Sequence, residues 1–116
     1  MYTLYGIPNC NTVKKAMDWL KKNDIEFQFH DYKKKGISKP TLQEWIAQVG
    51  WERLVNKRGS TWKTLDEIVK LNVDNTDTAI ALMMDKTSVI KRPIIETGNK
   101  IVAVGFEEKE FENVFY

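Results

Sequence analysis

The sequence is short of the residues from which several kinds of site are built. Its 116 residues include one cysteine, Cys10, and one histidine, His30. A single cysteine excludes an intramolecular disulfide, and one Cys with one His excludes zinc sites that need several such ligands, so we expect no metal site. Any thiol redox chemistry must therefore take its second sulfur from another molecule.

The sequence also lacks a strong net charge and a long apolar segment. Eighteen basic and sixteen acidic residues leave a formal charge of +2, which is too small to argue for direct binding to nucleic acid or to a membrane. No apolar run approaches the roughly 20 residues that span a bilayer, and the N-terminus MYTLYGIPNC does not resemble a secretion signal. We therefore expect a cytoplasmic monomer in which residues 1–116 form a single domain.

The N-terminal third has the pattern of a βαβ unit. Thr3 to Ile7 read as a short strand, and from Asn11 to Leu20 apolar residues recur at helical spacing. We predict that this helix ends at Asn23 in a left-handed cap conformation. Alternating apolar and polar residues over 25–32 predict a second strand, so a parallel pair with a right-handed crossover is the simplest arrangement.

The middle of the chain is predicted to be helical, and its end returns to strands. Ser38 and Asp77 are predicted helix caps, Leu65 to Val69 suggest a short helix, and LVNKRGSTWK is interpreted as a loop. RPIIET and KIVAVGF are predicted strands joined at Gly98-Asn99, before a last helix with Phe111, Val114 and Phe115 packed. The order βαβ, helical insertion at about 38–88, ββα is the connectivity of the thioredoxin-like α/β fold with a mixed four-stranded sheet.

Cys10 lies where the first predicted strand gives way to the first predicted helix. Unpaired N–H groups and the helix dipole favour a thiolate at such a position, although a lone cysteine is also a common buried core residue. Val13 stands where a Cys-x-x-Cys enzyme has its second thiol, so a nucleophilic Cys10 would need an external thiol such as glutathione for resolution. Asn9, Asn11 and Thr12 flank the sulfur and are candidate substrate-binding residues.

Two arginines are candidates for the same site. Arg92 precedes Pro93 at the start of a predicted strand, where both a cis bond beside Cys10 and an ordinary trans bond are open. Its guanidinium could pair with the thiolate or with an anionic substrate, and Arg58 beside Gly59 is a second candidate. For either arginine the alternative is a solvated surface charge.

Three segments, YGIPNCNTVKKA, LVNKRGSTWKTL and IKRPII, stand in an order and spacing that resemble the arsenate reductase ArsC/Spx family, and most of all its YffB-like branch. The resemblance covers nearly the whole chain. It implies a thioredoxin-like sheet, a nucleophile matching Cys10, an arginine matching Arg92 before a cis proline matching Pro93, and a basic position matching Arg58. The resemblance to the YffB-like branch implies a glutathione-dependent thiol reductase, with glutathione as co-substrate and a small-molecule thiol or a mixed disulfide as substrate.

Departures from the relatives separate three hypotheses. Glutaredoxin-coupled arsenate reductases carry arginines where this chain has Lys14, Asn56 and the apolar run IVAV, and an arsenate oxyanion needs several convergent donors. Spx-type regulators mostly carry Cys-x-x-Cys and bind RNA polymerase, and Val13 removes that switch. The leading hypothesis is a glutathione-dependent monothiol reductase with Cys10 and Arg92 as catalytic residues. The alternatives are arsenate reduction coupled to glutaredoxin and a non-catalytic adaptor of RNA polymerase.

Overall fold

The four strands form one mixed sheet. They are β1 (Tyr2–Gly6), β2 (Phe27–Asp31), β3 (Ile94–Thr97) and β4 (Lys100–Val104), and the computed structural model describes all of residues 1–116. Their spatial order is β2-β1-β3-β4, with β1 parallel to β2 and β3 antiparallel to both of its neighbours. This confirms the predicted thioredoxin-like α/β fold.

Helices occupy most of the chain between and after the strands. They are α1 (Asn11–Lys22), α2 (Tyr32–Lys35), α3 (Lys39–Val49), α4 (Trp51–Leu54), α5 (Ser60–Lys63), α6 (Glu67–Asn72), α7 (Thr76–Asp85) and α8 (Glu108–Phe115), with a 3-10 turn at Thr87–Val89. None of these helices combines the length and the apolar composition that crossing a membrane requires.

The chain divides into two compact units. The sheet, α1, α2 and α8 belong to the first unit, which comprises Met1–Lys35 and Arg92–Tyr116. The remaining helices belong to the second unit, Gly36–Lys91, and the predicted helical insertion at 38–88 falls within it. That residues 1–116 behave as one domain stays a prediction.

In the first unit, α1 and α8 pack against one face of the sheet. Leu4 of β1 and Ile95 of β3 are fully buried in one apolar cluster with Val13 of α1 and Phe111 of α8. The ring of Phe111 meets Trp19 of α1 edge to face, with centroids 5.3 Å apart. This packing fixes α1, and hence its first residue, against the sheet. The predicted packing of Val114 is wrong, because its side chain is exposed on α8.

Two turns in the first unit show what the local sequence specifies. Gly98 and Asn99 both have positive φ, 53° and 66°, as a tight hairpin between β3 and β4 requires. The predicted left-handed cap at Asn23 is wrong: its φ is −99°, and Asp24 takes the left-handed conformation at 58°. Asn23 continues to hydrogen-bond Trp19, since both its backbone N–H and its side-chain amide donate to the Trp19 carbonyl. The turn therefore falls one residue later.

Helix starts in the second unit depend on side-chain caps. Ser38 caps α3 as predicted, with its Oγ accepting from the Thr41 N–H at 3.3 Å. Helix α7 is capped by Asn75 and not by the predicted Asp77, because Asn75 and Thr78 hydrogen-bond each other reciprocally through side chains and backbone N–H groups. The segment predicted as a loop also contains α5 and the end of α4.

Candidate active site

Cys10 is the residue that joins β1 to α1. It has extended backbone angles, φ −93° and ψ 123°, and occupies the N-cap position of α1. Its N–H donates to the Ile7 carbonyl at 3.2 Å, and its own carbonyl accepts from Lys14 at 3.0 Å, so the backbone is held on both sides of the sulfur. The side chain is partly buried and the thiol is free. It is therefore held in place without being enclosed by the core.

A close approach between strand and helix allows this short connection. Gly6, the last residue of β1, lies so near α1 that a Cβ on it would stand 2.8 Å from Cγ2 of Val13. Val13 is fully buried against the sheet. The residue three positions after Cys10 is thus a packing residue in this chain.

The surroundings of the sulfur favour its charged form. Partial burial, the largest single influence, raises the pKa of Cys10. The backbone N–H of Val13, the side chain of Arg92 and the backbone N–H of Thr12 lower it, and together they outweigh burial, so the pKa of Cys10 lies below its ordinary value. The thiol side chain makes no helix-capping hydrogen bond, and the Val13 and Thr12 N–H groups stabilise the thiolate as donors at the positive end of the α1 dipole.

Arg92 reaches the sulfur from the start of β3. That strand pairs with β1, with Ile94 opposite Tyr5, which brings the residues before β3 next to the end of β1 where Cys10 follows. The Arg92–Pro93 peptide bond is cis, as the resemblance implied, and Pro93 is buried. The structure thus brings Cys10 and Arg92 together in the first unit. Their catalytic roles stay predictions.

Three polar candidates surround Cys10 on the solvent side. The side chains of Asn9, Asn11 and Thr12 are all exposed beside it. Only the backbone of Thr12 acts directly on the sulfur. Their predicted contribution to substrate binding stays a prediction, but exposed amide and hydroxyl groups next to a nucleophile can hydrogen-bond a polar ligand.

Arg58 lies in the second unit, on a tightly built loop. The Asn56 side chain accepts from the Arg58 N–H at 3.2 Å, and Lys57 places its Nζ 5.7 Å and 5.3 Å from the ring centroids of Trp51 and Trp62. The Arg58 side chain is exposed. The loop therefore presents the guanidinium to solvent, and its predicted role in substrate binding stays a prediction.

The second face of the sheet carries a polar cluster that was not predicted from the sequence. The Tyr5 hydroxyl donates to Oε1 of Glu96 at 2.5 Å, and the Tyr5 ring lies 4.6 Å from His30 and 6.1 Å from Tyr32. The sequence pattern indicates only which face of the sheet these residues occupy. Tyr5 follows the core-facing Leu4 and His30 follows the core-facing Phe29, so both point to the opposite face. Because these residues are distant in the chain, only strand pairing shows that they meet.

The fold and the site define a class of protein. It is a thioredoxin-like protein with one cysteine at the N-cap of its first helix, next to an arginine and a cis proline. The chain belongs to the ArsC family, whose family model matches residues 5–114.

Individual relatives support the same assignment. An uncharacterized protein of Haemophilus influenzae is 46% identical over 115 residues, covering 99% of both chains. A solved structure described as the YFFB protein is 39% identical, covers 100% of both chains and superposes with a TM-score of 0.92. The global transcriptional regulator Spx of Streptococcus mutans is 31% identical over 113 residues, covering 95% of this chain and 80% of the relative. The predicted resemblance to the ArsC/Spx family and its YffB-like branch is confirmed.

Proposed function

We propose that this protein is a glutathione-dependent monothiol reductase with Cys10 as the nucleophile. The observation that carries the proposal is the position of Cys10 at the N-cap of α1, where the Val13 and Thr12 N–H groups and Arg92 lower its pKa. A larger fraction of this thiol is then ionised near neutral pH, and the thiolate is the form that attacks a disulfide. Membership of a family with YffB-like structures supports the same chemistry.

The reaction proceeds in two thiol–disulfide exchanges. The Cys10 thiolate attacks the glutathione sulfur of a mixed disulfide between glutathione and a substrate thiol, and the substrate leaves as its thiolate. A new disulfide joins Cys10 to glutathione. The chain has no second cysteine, so a second glutathione thiolate attacks that disulfide, releasing oxidised glutathione and regenerating the Cys10 thiolate. Overall, one glutathione thiol is oxidised and one substrate thiol is released for each mixed disulfide reduced, because the other sulfur of the oxidised glutathione comes from the mixed disulfide itself.

Arg92 has two tasks in this scheme. Its charge and hydrogen bond stabilise the Cys10 thiolate before attack. Its guanidinium also suits the carboxylates of glutathione, which is an anion at neutral pH. The exposed side chains of Asn9, Asn11 and Thr12 are the proposed contacts for the rest of that ligand.

Intact-mass analysis after exposure to oxidised glutathione tests this function. We expect one glutathione adduct on the wild-type protein, none on Cys10→Ser, and removal of the adduct by reduced glutathione. Turnover of a glutathionylated peptide should then depend on Cys10. A wild-type protein that forms no adduct would contradict the proposal, and arsenate turnover lost in Cys10→Ser would instead support the arsenate reductase alternative.

A second candidate function is that of a non-catalytic adaptor. The Spx relative aligns over 95% of this chain and is a transcriptional regulator, which favours binding to RNA polymerase as the alternative. Co-purification with the polymerase α subunit, undiminished by Cys10→Ser, would support the adaptor. Loss of any such association in Cys10→Ser, or its absence from the wild type, would leave the reductase as the better account.

A further inference from the structure

The hydroxyl of Tyr32 is an uncommitted polar group inside the first unit. Tyr32 is the first residue of α2 and is 1% exposed. Its hydroxyl has no hydrogen-bond partner among the protein's own groups. Buried polar atoms are nearly always paired, because an unpaired one keeps the cost of leaving water without a compensating bond. A phenylalanine would fill the same space without that cost, so the hydroxyl calls for a functional explanation.

The groups around Tyr32 connect it to the Cys10 site. Its ring lies 6.1 Å from Tyr5 and 6.2 Å from His30, and the Tyr5 hydroxyl is already bound to Glu96. Burial, and then Tyr5, raises the pKa of Tyr32 well above its ordinary value, while the charge of Arg92 acts in the opposite direction. Tyr32 therefore stays a neutral phenol. Strand register also brings it towards Arg92, because the Tyr5 ring beside it belongs to the β1 residue that pairs with Ile94, two positions after Arg92. Arg92 in turn acts on Cys10.

We propose that Tyr32 is a positioning residue for Arg92, and that its phenolic oxygen accepts a hydrogen bond from the guanidinium when Cys10 is held in a disulfide. The inference rests on the proposed function only in requiring that Cys10 forms mixed disulfides. Arg92 then has one partner in each state of the site: the Cys10 thiolate when the sulfur is free, and the Tyr32 oxygen when Cys10 is in a disulfide.

The charge change at sulfur provides the reason for this exchange. A Cys10 thiolate is negative and attracts the guanidinium. Conversion to a disulfide makes the sulfur neutral and removes that attraction, yet Arg92 keeps its charge because arginine is not deprotonated in proteins. The Nε atom of Arg92 is buried, and a buried N–H donor is stabilised by an acceptor within hydrogen-bond distance. The Tyr32 oxygen can supply one without a new charge entering the core.

A thermodynamic cycle with a small disulfide reagent tests the proposal. Methyl methanethiosulfonate converts Cys10 into a neutral methyl disulfide: the thiolate forms the new S–S bond, the reagent's S–S bond breaks and methanesulfinate leaves. Because the chain has one cysteine, modification is confined to one site. Denaturant unfolding is measured for wild type and Tyr32→Phe, each unmodified and modified. If Tyr32 were merely structural, Tyr32→Phe would change the stability of the unmodified and the modified protein equally.

We expect modification of Cys10 to destabilise Tyr32→Phe more than it destabilises the wild type, and we call this loss of stability the modification penalty. Modification should raise the unfolding equilibrium constant at least about tenfold more in Tyr32→Phe than in wild type, which is the effect of one hydrogen bond to a charged group. Unmodified Tyr32→Phe should be as stable as wild type or more so, since it loses only an unpaired hydroxyl. Equal penalties within about twofold, the scatter of independent sites, would overturn the proposal.

Two further variants make the result specific. Tyr2→Phe is the matched control, because Tyr2 packs its ring against Phe115, 5.1 Å away in the α1 and α8 layer, and it should show the wild-type penalty. In an Arg92→Gln background the effect of Tyr32→Phe on the penalty should disappear, and its persistence would contradict the role of Arg92.

The same experiment separates this inference from the proposed function. If methyl methanethiosulfonate reacts with Cys10 only at the pH of an ordinary thiol, the activation of Cys10 fails, while the cycle can still be measured after complete modification. If Cys10 reacts readily but the cycle shows no coupling, the proposed function stands and the role of Tyr32 is wrong.

Discussion

At the scale of single residues, Cys10 depends on backbone groups as much as on a charged side chain. After burial, which opposes ionisation, the N–H of Val13 has the largest influence on its pKa, followed by the Arg92 side chain and the Thr12 N–H. Backbone donors cannot be removed by changing a side chain. The lowering of the pKa by these two N–H groups should therefore survive any substitution at Arg92.

Removal of the Arg92 charge tests how much the guanidinium, as distinct from the backbone N–H groups, lowers the pKa of Cys10. In Arg92→Gln we expect the pKa of Cys10 to rise above the wild-type value, because the guanidinium hydrogen bond and charge are lost. Alkylation rates measured against pH report the shift. The matched control is Lys100→Gln, which removes an exposed positive charge at the hairpin end of β4 and should leave the profile unchanged. A wild-type profile in Arg92→Gln would contradict the role of the guanidinium.

The lowered pKa of Cys10 also predicts a pH dependence of stability. The folded state ionises at a lower pH than the unfolded state, whose thiol titrates near about 8.5. The stabilisation is therefore fully present above about 8.5 and is lost as the pH falls through the lowered folded-state value.

Urea unfolding of wild type and Cys10→Ser across this range measures the effect. The wild-type free energy of unfolding, relative to Cys10→Ser, should increase as the pH rises between the two pKa values and be constant on either side. A difference that does not vary with pH would show that the pKa of Cys10 is the same in both states.

At the scale of elements, the junction between β1 and α1 explains why position 13 is valine in this chain. Val13 is fully buried, and its methyl groups occupy the space beside Gly6. The strand and helix approach closely because Gly6 has no Cβ. The position that would hold a second thiol in a Cys-x-x-Cys enzyme is thus used for packing that fixes the start of α1.

Gly6→Ala should strain this junction. A Cβ 2.8 Å from Val13 Cγ2 forces one element to shift, and overpacking of this kind costs about 1–3 kcal/mol of the free energy of unfolding. In a Val13→Ala background the same change should cost less, because the colliding methyl groups are absent. Chemical denaturation of the four proteins measures the coupling. Equal costs in both backgrounds would show that the contact does not limit the approach.

At the scale of the whole molecule, the order of strands and helices could be predicted from the sequence, but the site could be predicted only in part. Periodicity identified β1, α1 and the final hairpin because each depends on neighbouring residues. The contact between Cys10 and Arg92 depends on the register of β1 with β3, which local periodicity does not contain. Pairing of Arg92 with the thiolate was therefore only an alternative to a solvated surface charge. Tyr5, Glu96 and Tyr32 were missed for the same reason. Short helices such as α5 were missed because four residues carry too little periodicity.

The first unit depends on its C-terminal helix for a closed core. Phe111 of α8 is fully buried and meets Trp19 and Phe106 edge to face, at 5.3 Å and 4.7 Å between centroids. Phe111→Ala should lower the free energy of unfolding by about 3–5 kcal/mol through lost burial and a cavity. Val114→Ala, exposed on the same helix, should change it by less than about 0.5 kcal/mol. Comparable effects of the two substitutions in thermal or chemical unfolding would contradict this assignment of the core.

The activation of Cys10 is the claim on which the proposed function depends, and its alkylation by iodoacetamide as a function of pH tests it most directly. Cys10→Ser should not react, which assigns the whole signal to one sulfur. The lowered pKa of Cys10 predicts that the rate reaches half its maximum at a lower pH in the folded protein than in the urea-unfolded protein, whose thiol titrates near about 8.5. A midpoint at or above about 8.5 would contradict the account, because the thiol would then gain nothing from the start of α1 or from Arg92.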